Sequence, residues 1–386
     1  MGPSIFISAG EVSGDLHAAH LIRALKRKGI TQFAGMGGAE MAAEGVSIVT
    51  SVINRSTIGF FEPIRHLFAF YFTFRKLKNW LKTNRPTVMI AVDFQGFNVP
   101  LCRVAKALGI PVVYYIAPQE WQWGSEAGGR RVVAATDLIL SIFEQEHAFY
   151  ARLGAKSVFV GHPLLDIVPA VAALPADAPL IISVFPGSRS QEIQQVLPIF
   201  VQALTRIQIQ FPDIQIVVSV ATSYLRPKIE SEFNKSGLRN VMLKEAAAYD
   251  VMAAGTISLV TSGTVTLEHA IMKKPAVAGY RFHPISYRIG RILIGKKFDR
   301  QVGYIALPNI YLKRMAMPEF LQSACTPQAL AHACITLLSS TERREALIRD
   351  FEQVKTLLGT PGAVDRAAEI VSSTWFSGIM TPEVNT

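Results

Sequence analysis

Cysteine is scarce in this sequence, and so are the other marks of a secreted or membrane-spanning protein. Only three cysteines occur among 386 residues, and three cannot form a framework of paired disulfides. The first fifteen residues have no basic region and reach Glu11 and Asp15 too early for a signal peptide. The longest uncharged stretch, residues 320–341, contains proline, glutamine and histidine and makes a poor membrane span. We expect a cytoplasmic protein whose contact with any membrane is peripheral.

Motifs for metal and nicotinamide binding are also missing. The sequence has no Asp-x-Asp, no His-Glu-x-x-His and no Cys-x-x-Cys, which argues against a metal-held diphosphate and against a zinc site. Residues 35–38 begin like a dinucleotide fingerprint, but its last glycine would fall at Glu40 and no strand–helix unit frames it. We therefore predict neither a metal nor a cofactor. Arginine and helix dipoles would have to neutralise a bound diphosphate.

Charged residues make up only 18% of the chain, but their balance is basic. Lysine and arginine number 39 against 29 acidic residues, which gives a formal charge of +10 and points to an anionic partner. The excess lies in two blocks: residues 65–85 hold six basic residues and no acid, and residues 281–300 hold six and one. Neither block carries a nucleic-acid recognition motif. We expect no nucleic acid, and favour an anionic membrane surface and a phosphorylated ligand.

Apolar, β-branched runs alternate with helical stretches, which predicts an α/β fold with parallel sheets. The predicted strands are residues 5–8, 88–92, 112–116, 138–142, 180–185, 214–220, 257–261 and 276–280. The series restarts after a Pro/Ala-rich connection at 168–179, so we predict two Rossmann-like domains with a cleft between them. The predicted ranges are 1–168, facing acceptor and membrane, 169–345, binding a nucleotide sugar, and 346–386, a helical segment packing across the domains or onto a dimer partner.

Three glycine-rich turns follow predicted strands, at residues 8–15, 186–193 and 261–264. Each turn alone is as easily structural as functional, but together they favour phosphate binding at helix N-termini. Arg189 supplies a forked donor for phosphate oxygens. Glu268 lies in the first turns of the next helix, where it either accepts ribose hydroxyls or acts as a favourable helix-dipole charge.

Asp93 follows the strand at 88–92 and is the candidate general base, with capping of the next helix as the alternative. Glu11, Asp15 and His17 come from the neighbouring first turn and predict an acidic cluster there, although Asp15 also suits a helix N-cap. Trp121, together with position 123, either lines a sugar or acyl site or anchors a loop.

Residues 60–82 are aromatic and basic and predict a helix from Pro63 onward. One interpretation is a core helix between layers. The other is an interfacial helix with aromatic side chains in the acyl boundary and cations near phosphate head groups. The predicted membrane contacts are Phe60, Phe61, Leu67, Phe68, Tyr71, Phe72, Arg75 and Lys76.

Eight motifs in order and spacing resemble those of the lipid-A-disaccharide synthase family over residues 4–370. They are 8–15 (Ser-Ala-Gly-Glu-Val-Ser-Gly-Asp), Asp93 with 97–98 (Phe-Asn), the Tyr-Tyr, Pro and two Trp of 114–123, 161–162 (Gly-His), 186–189 (Pro-Gly-Ser-Arg), 262–268 (Ser-Gly-Thr and Leu-Glu), 307–309 (Leu-Pro-Asn) and 318–322 (Pro-Glu-Phe-Leu-Gln). The resemblance implies a GT-B fold and a metal-independent, inverting transfer of diacylglucosamine from its UDP-activated form to diacylglucosamine 1-phosphate. It also implies work at the inner face of the cytoplasmic membrane.

The resemblance assigns roles to particular residues. It implies Asp93 as the base and Arg189 as the group that stabilises the departing diphosphate. The implied substrate contacts are Glu11, Ser13, Gly14, Asp15, His17, Asn98, Trp121, Gly187, Ser188, Ser262, Gly263, Thr264, Glu268 and Asn309. The family's dimer exchanges C-terminal segments, which suits the charged helical tail of this chain.

The sequence departs from the family pattern in three places. Gly96 stands where a second aspartate is common, Gln119 and Glu120 replace small or apolar residues, and the loop at 124–131 is longer and richer in glycine. A paired-carboxylate mechanism is therefore not supported. Two rival interpretations stay open: a UDP-N-acetylglucosamine epimerase acting on soluble sugars, and a nucleotide-binding membrane adaptor without catalysis.

Overall fold

The computed structural model describes residues 4–52, 63–122, 124–172, 174–175, 177–245, 247–281 and 303–378. The chain divides into two compact units, one of Met1–Asp166 with Leu358–Thr386 and the other of Ile167–Leu357. The domain ranges drawn from the sequence stay predictions. Among the described helices, none combines the length and apolarity needed to cross a membrane.

The first unit is built on a parallel sheet. Its strands are β1 Ile5–Ala9, β2 Phe33–Met36, β3 Ser47–Thr50, β4 Val88–Val92, β5 Val112–Tyr115, β6 Leu138–Ser141 and β7 Ser157–Phe159. Their order in the sheet is β3-β2-β1-β4-β5-β6-β7. Every residue of β1, β4, β5 and β6 is buried, as expected for parallel strands covered on both faces.

The strand order reverses between β1 and β4, where ligands bind in open parallel sheets. Ala9 pairs with Val92, so the turn after β1 lies beside the turn after β4. The helices of this part are α1 Val12–Arg27, α2 Ala39–Ala43, α3 Pro63–Asn84, α4 Gln95–Ala107, α5 Glu126–Val133, α6 Glu144–Arg152 and α7 Leu164–Ile167. The predicted glycine-rich turn and the candidate base thus lie at one point of the sheet edge.

The second unit repeats the arrangement. Its strands are β8 Ile181–Phe185, β9 Gln215–Val220, β10 Val241–Glu245, β11 Ile257–Val260, β12 Ala276–Tyr280 and β13 Glu319–Leu321, in the order β10-β9-β8-β11-β12-β13. Its helices are α8 Ser190–Gln210, α9 Arg226–Asn234, α10 Ala248–Ala254, α11 Thr264–Ile271, α12 Leu307–Leu312, α13 Pro327–Ser339 and α14 Thr341–Leu357. Phe185 pairs with Val260, so the other two glycine-rich turns are neighbours at the second switch point. Two parallel sheets confirm the predicted fold class.

The C-terminal tail forms two helices. The first, α14, belongs to the second unit, and the last helix, α15 Ala363–Trp375, belongs to the first unit. Helix α15 lies along α1, where Arg27 pairs with Asp365 at 2.5 Å and Lys28 with Glu369 at 2.6 Å. The break at residues 358–362 makes α15 a separate element of the tail.

Candidate active site

Asp93 sits in a strained turn at the carboxyl end of β4. Asp93 and Phe94 have φ values of 48° and 53°, in the left-handed region that non-glycine residues rarely occupy. Such strain persists only where neighbours hold it. The Asp93 carbonyl accepts hydrogen bonds from Asn98 Nδ2 and from the Tyr114 hydroxyl, both at 2.8 Å. The turn is therefore fixed from two sides.

Asn98 is the residue that holds the two neighbouring strand ends together. Its side chain is fully buried, its amide also donates to the carbonyls of Ser8 and Val92, and its Oδ1 accepts from Ser8 Oγ at 2.6 Å. Its polar atoms are thus used within the protein. Asn98 positions Asp93, and its direct contact with substrate stays a prediction.

Aromatic rings cover this turn. A side chain at Gly10 would come within 2.1 Å of the Phe94 ring, so glycine is required for the turn after β1 to pass beneath it. Phe94 stacks on Phe97 with ring centroids 5.8 Å apart, and both rings contact Phe70 of α3. The aromatic helix therefore packs directly against the segment that carries the candidate base.

The environment of Asp93 raises its pKa to about 6. Burial is the larger cause, the negative charge of Glu11 adds to it, and the backbone N–H of Phe94 opposes it. A carboxylate with a raised pKa is a stronger base that is still ionised at neutral pH. Asp93 thus has both the position and the basicity to accept a proton from a hydroxyl.

Asp15 has a structural partner. Its carboxylate accepts hydrogen bonds from the backbone N–H groups of Gly38 at 2.7 Å and Glu40 at 3.0 Å, at the start of α2. It therefore caps α2 and not the helix in which it lies. His17 is buried, and burial lowers its pKa to about 4, so its imidazole is neutral. Of the predicted acidic cluster, Glu11 is the member whose charge reaches Asp93.

Two further residues of the first turn, Ser13 and Gly14, lie in the first turn of α1. Gly14 is buried, and a side chain there would approach Ala9 and the carbonyl of Val92 at 3.6 Å. These are ordinary van der Waals contacts, so a methyl group would fit at position 14. Substrate contact by Ser13 and Gly14 stays a prediction.

Glu146 was not among the sequence candidates. It is buried at the start of α6, its carboxylate accepts from the N–H of Ile142 at 2.8 Å, and burial raises its pKa to about 8. The negative charge of Asp93 adds to this rise in the pKa of Glu146. The N-cap residue of α6 is Phe143, not the Ser or Thr of a capping box, so no motif in the sequence marks Glu146.

The loop after β5 carries Trp121. Its ring lies 5.8 Å from the ring of Phe143, and its indole Nε1 is buried without a hydrogen-bond partner among the described residues. Ile116, where the loop begins, has a φ of 58°. The loop is thus anchored, while Trp123 lies outside the described residues. Contact of Trp121 with a sugar or acyl group stays a prediction.

Two of the departures from the family pattern, Glu120 and the glycine-rich loop at 124–131, compensate for each other in the structure. The Glu120 carboxylate accepts from the N–H of Ser125 at 2.9 Å and from the amide of Gln95. A side chain at Gly124 or Gly128 would come within 1.8 Å or 2.1 Å of Glu120 Oε2. The two glycines therefore leave the space that the unusual glutamate fills.

We expect Gly128→Ala to destabilise the protein by about 1 kcal/mol, because the new methyl group displaces the Glu120 carboxylate. In the Glu120→Ala background the same change has no carboxylate to displace. There, replacing a helical glycine by alanine should stabilise by up to about 1 kcal/mol. Urea unfolding of the two single variants and the double variant measures both effects. Equal effects of Gly128→Ala in the two backgrounds would refute the compensation.

The turn at 186–189 forms an anion cradle that the chain itself fills. Gly187 has a φ of 115°, which favours glycine. The Glu192 carboxylate accepts from the backbone N–H groups of Ser188 at 3.2 Å and Arg189 at 3.3 Å, and from Arg189 Nη1 at 3.1 Å. Two N–H groups and a guanidinium thus converge on one carboxylate, as they would on a phosphate.

The turn at 261–264 opens α11. Gly263 has a φ of 136° and Thr264 is exposed at the first helical position, while Ser262 Oγ donates to the carbonyl of Ile305 at 3.1 Å. Burial raises the pKa of Glu268 to about 7, and the hydroxyl of Tyr249 donates to it at 3.4 Å. Tyr249, at the start of α10, was missed because no motif marks it.

Asn309 is fully buried in the segment before β13. Its amide accepts from the N–H groups of Ala316 and Met317 at 2.8 and 2.7 Å, and donates to the carbonyl of Met317 and to Glu319. Asn309 therefore shapes this segment in the structure. Its contact with UDP stays a prediction.

Within the described ranges, no cluster of three or more His, Cys, Asp or Glu side chains is placed to hold a metal. The absence of a metal and of a cofactor stays a prediction. The second basic block, apart from Arg281, lies outside the described residues. Arg281 donates to the carbonyls of Gln322 and Cys325, which ties the end of β12 to the turn after β13.

Helix α3, the aromatic segment, has one buried side and one exposed side. One side is core: Leu77 and Leu81 are fully buried, and Trp80 contacts Phe6 with centroids 5.0 Å apart. The opposite side exposes 57% of Tyr71 and 62% of Phe72. Arg75 and Lys76 follow on this exposed side. Phe60 and Phe61 lie outside the described residues, as do the side chains of Leu67 and Phe68.

Comparison with known proteins adds a full-length match. Residues 5–370 match the family model for lipid-A-disaccharide synthetase. The lipid-A-disaccharide synthase of Myxococcus xanthus (strain DK1622) is 34% identical over 96% of this chain and 97% of that relative. The lipid-A-disaccharide synthase of Syntrophus aciditrophicus (strain SB) is 32% identical over 94% of this chain and 96% of that relative.

Solved structures share the fold. A UDP-GlcNAc 2-epimerase from Neisseria meningitidis bound to UDP-GlcNAc superposes with a TM-score of 0.65 at 12% identity, over 96% of this chain and all of the other. MurG from Acinetobacter baumannii superposes with a TM-score of 0.55 at 13% identity, again over 96% of this chain and all of the other. These likenesses establish a GT-B type of fold.

Proposed function

Because the chain belongs to the lipid-A-disaccharide synthase family and is a glycosyltransferase of lipid A biosynthesis, we propose how its residues divide the work of that reaction. The donor is UDP-2,3-diacylglucosamine and the acceptor is 2,3-diacylglucosamine 1-phosphate. The observation that carries the assignment is Asp93 itself: a half-buried carboxylate with a raised pKa, in a strained turn at the first switch point.

Asp93 accepts the proton of the acceptor's 6-hydroxyl while that oxygen attacks the anomeric carbon of the donor sugar. The bond from this carbon to the UDP oxygen breaks, and UDP leaves with the bonding electron pair. Attack from the face opposite UDP inverts the α-linked donor into a β-linked product. Removal of the proton by Asp93 leaves negative charge on the acceptor oxygen, which makes this oxygen a stronger nucleophile.

The second unit holds the nucleotide. In the turn that Gly187 begins, the diphosphate takes the place of the Glu192 carboxylate at the backbone N–H groups of Ser188 and Arg189 and beside the Arg189 guanidinium. The exposed start of α11 offers a second helix N-terminus. Glu268 accepts hydrogen bonds from the ribose hydroxyls, with Tyr249 orienting its carboxylate. Charge that develops on the leaving diphosphate is stabilised by Arg189.

The exposed side of α3 contacts the cytoplasmic membrane surface. Tyr71 and Phe72 suit the boundary between head groups and acyl chains, and the exposed cations that follow along the helix suit anionic head groups. Both substrates carry acyl chains, so a protein docked on the membrane meets them where they reside. This arrangement supports peripheral association with the inner face of that membrane.

We expect the double variant Tyr71→Ser/Phe72→Ser to bind vesicles of phosphatidylglycerol and phosphatidylethanolamine at least about threefold more weakly than wild type. Vesicle co-sedimentation measures the bound fraction. Tyr224→Ser is the matched control, because Tyr224 is 81% exposed in the second unit. Equal binding of wild type and the double variant would contradict the membrane assignment.

An assay of the purified protein with both acylated sugars tests the function as a whole. The assay measures the release of UDP and the formation of disaccharide together. Stoichiometric appearance of both products is expected. Turnover of soluble UDP-N-acetylglucosamine without an acylated acceptor would favour the epimerase interpretation.

The same preparation tests the predicted dimer. In such a dimer, residues from 358 onward are exchanged, and the ion pairs between α1 and α15 form with the partner. Light scattering that gives the mass of one chain would contradict this dimer.

A further inference from the structure

Positive charge is gathered at the first turn of α8. Arg189 immediately precedes the helix, whose free N–H groups form its positive end. Lys228 of α9 reaches the same turn, where its Nζ donates to the carbonyl and to the Oγ of Ser190, both at 3.1 Å. Two cations and a helix N-terminus thus meet at adjacent residues.

This position is unfavourable for the cation of Lys228. Helix N-termini attract anions and repel cations, and Lys228 is half-buried, so that desolvation lowers its pKa. Among the described residues no carboxylate forms a salt bridge with Lys228. Glu232 of the same helix acts on it through space but is paired with Lys235 at 3.4 Å. The charge of Lys228 is therefore not balanced by a direct ion pair.

Glu192, the carboxylate of this turn, does not neutralise the charge of Lys228 either. Glu192 is used by the N–H groups of residues 188 and 189 and by the guanidinium of Arg189. The charge of Lys228 is therefore not neutralised by the carboxylate of this turn. An anionic ligand bound here would neutralise it.

We propose that Lys228 is a second cation of the donor diphosphate site, acting beside Arg189. This inference rests on the proposed function, which places the diphosphate at residues 187–189. UDP carries more negative charge after the glycosidic bond breaks than before, so a cation fixed at this turn stabilises the departing UDP more than the bound donor. No sequence motif marks Lys228; the approach of α9 to α8 identifies it.

A purely structural role would have Lys228 fasten α9 to α8 through Ser190. Two variants separate the roles. Lys228→Gln keeps a hydrogen-bond donor near Ser190 and removes the charge, whereas Lys228→Arg keeps the charge. Lys235→Gln removes an exposed lysine from the end of the same helix and is the matched control.

Titration calorimetry with UDP is the test, with thermal unfolding of each variant alongside. We expect Lys228→Gln to weaken UDP binding about tenfold, as for loss of one charged hydrogen bond, at an unchanged Tm. Lys228→Arg should stay within about threefold of wild type, and Lys235→Gln should match wild type. UDP affinity of Lys228→Gln within about twofold of wild type, or unfolding of this variant, overturns the proposal.

Failure of the proposed function gives a different pattern. If wild type does not bind UDP, or if Arg189→Ala leaves UDP binding and turnover intact, the assignment of the cradle to the diphosphate is wrong. If Arg189→Ala impairs turnover while Lys228→Gln behaves like wild type in UDP binding, only the role of Lys228 is refuted.

Discussion

Replacement of Asp93 by asparagine is expected to lower kcat for disaccharide formation by about a thousandfold, the usual size of a general-base contribution. The amide keeps the shape of the side chain but cannot accept the acceptor's proton. The hydrogen bonds that hold the strained turn go to the backbone carbonyl of residue 93, so the turn should survive the change. UDP affinity should change by less than about twofold, because the nucleotide contacts lie on other residues.

Product formation by single-turnover assay and UDP binding by calorimetry measure the two expectations separately. Asp213→Asn is a suitable control, since Asp213 is an exposed carboxylate on a loop of the second unit. Retention of more than about a tenth of wild-type kcat by Asp93→Asn would rule out Asp93 as the base.

The pH profile gives an independent reading of the same residue. Asp93 works as a base only when ionised, and its pKa is raised to about 6, so kcat/KM should fall as the pH drops through about 6. The charge of Glu11 contributes to the raised pKa. Glu11→Gln should therefore move the acidic limb of the profile to lower pH. A limb that stays in place would show that Glu11 does not act on the titrating group.

The buried strands were predictable from sequence because each is a continuous apolar run. The runs at 5–8, 88–92, 112–116 and 138–142 became β1, β4, β5 and β6 with ends shifted by at most one residue. The edge strands β3, β7, β10 and β13 were missed, and so was β2, which lies inside its sheet. In β10, Met242 and Glu245 are exposed, and the strand lacks the continuous apolar character of a buried one.

The location of the site was also predictable, but its internal contacts were not. Parallel strands bring their carboxyl ends to one edge, so the turns at 186–193 and 261–264 had to share an edge of the second sheet. For the same reason the turn at 8–15 had to share an edge of the first sheet with Asp93. The carboxylate of Asp15 instead meets the start of α2, and Lys228 meets Ser190. These contacts join residues that are more than twenty positions apart, and no local pattern encodes them.

The departures from the family pattern also depend on contacts that the sequence alone does not reveal. In the sequence, Glu120 and the glycines at 124 and 128 are separate departures from the family pattern. In the structure they pack together, because the glycines leave space for the glutamate. A substitution that looks unfavourable alone is compensated by neighbours that only the fold brings together. Gly96 has no such partner in the described part of the chain, where nothing lies within 4 Å of a side chain built at this position.

Arg189→Ala should cost at least about 2 kcal/mol of transition-state stabilisation, comparable to removal of one preorganised donor from a charged transition state. The change removes the guanidinium from the cradle and leaves the backbone N–H groups of residues 188 and 189 in place. Glu192 would then face the diphosphate without its cationic partner, which adds repulsion to the lost attraction. Both effects grow as negative charge develops on the leaving UDP.

The expected loss therefore appears mainly in kcat and less in the KM for the donor, because the charge on the diphosphate is greatest in the transition state. Steady-state kinetics with both acylated sugars separates the two parameters. Arg226→Ala is the matched control, since Arg226 is an exposed arginine of α9 that pairs with Glu245 at 3.0 Å. A rise in KM with unchanged kcat would mean that Arg189 binds the donor equally in the ground and transition states, and that the leaving group is stabilised by other residues.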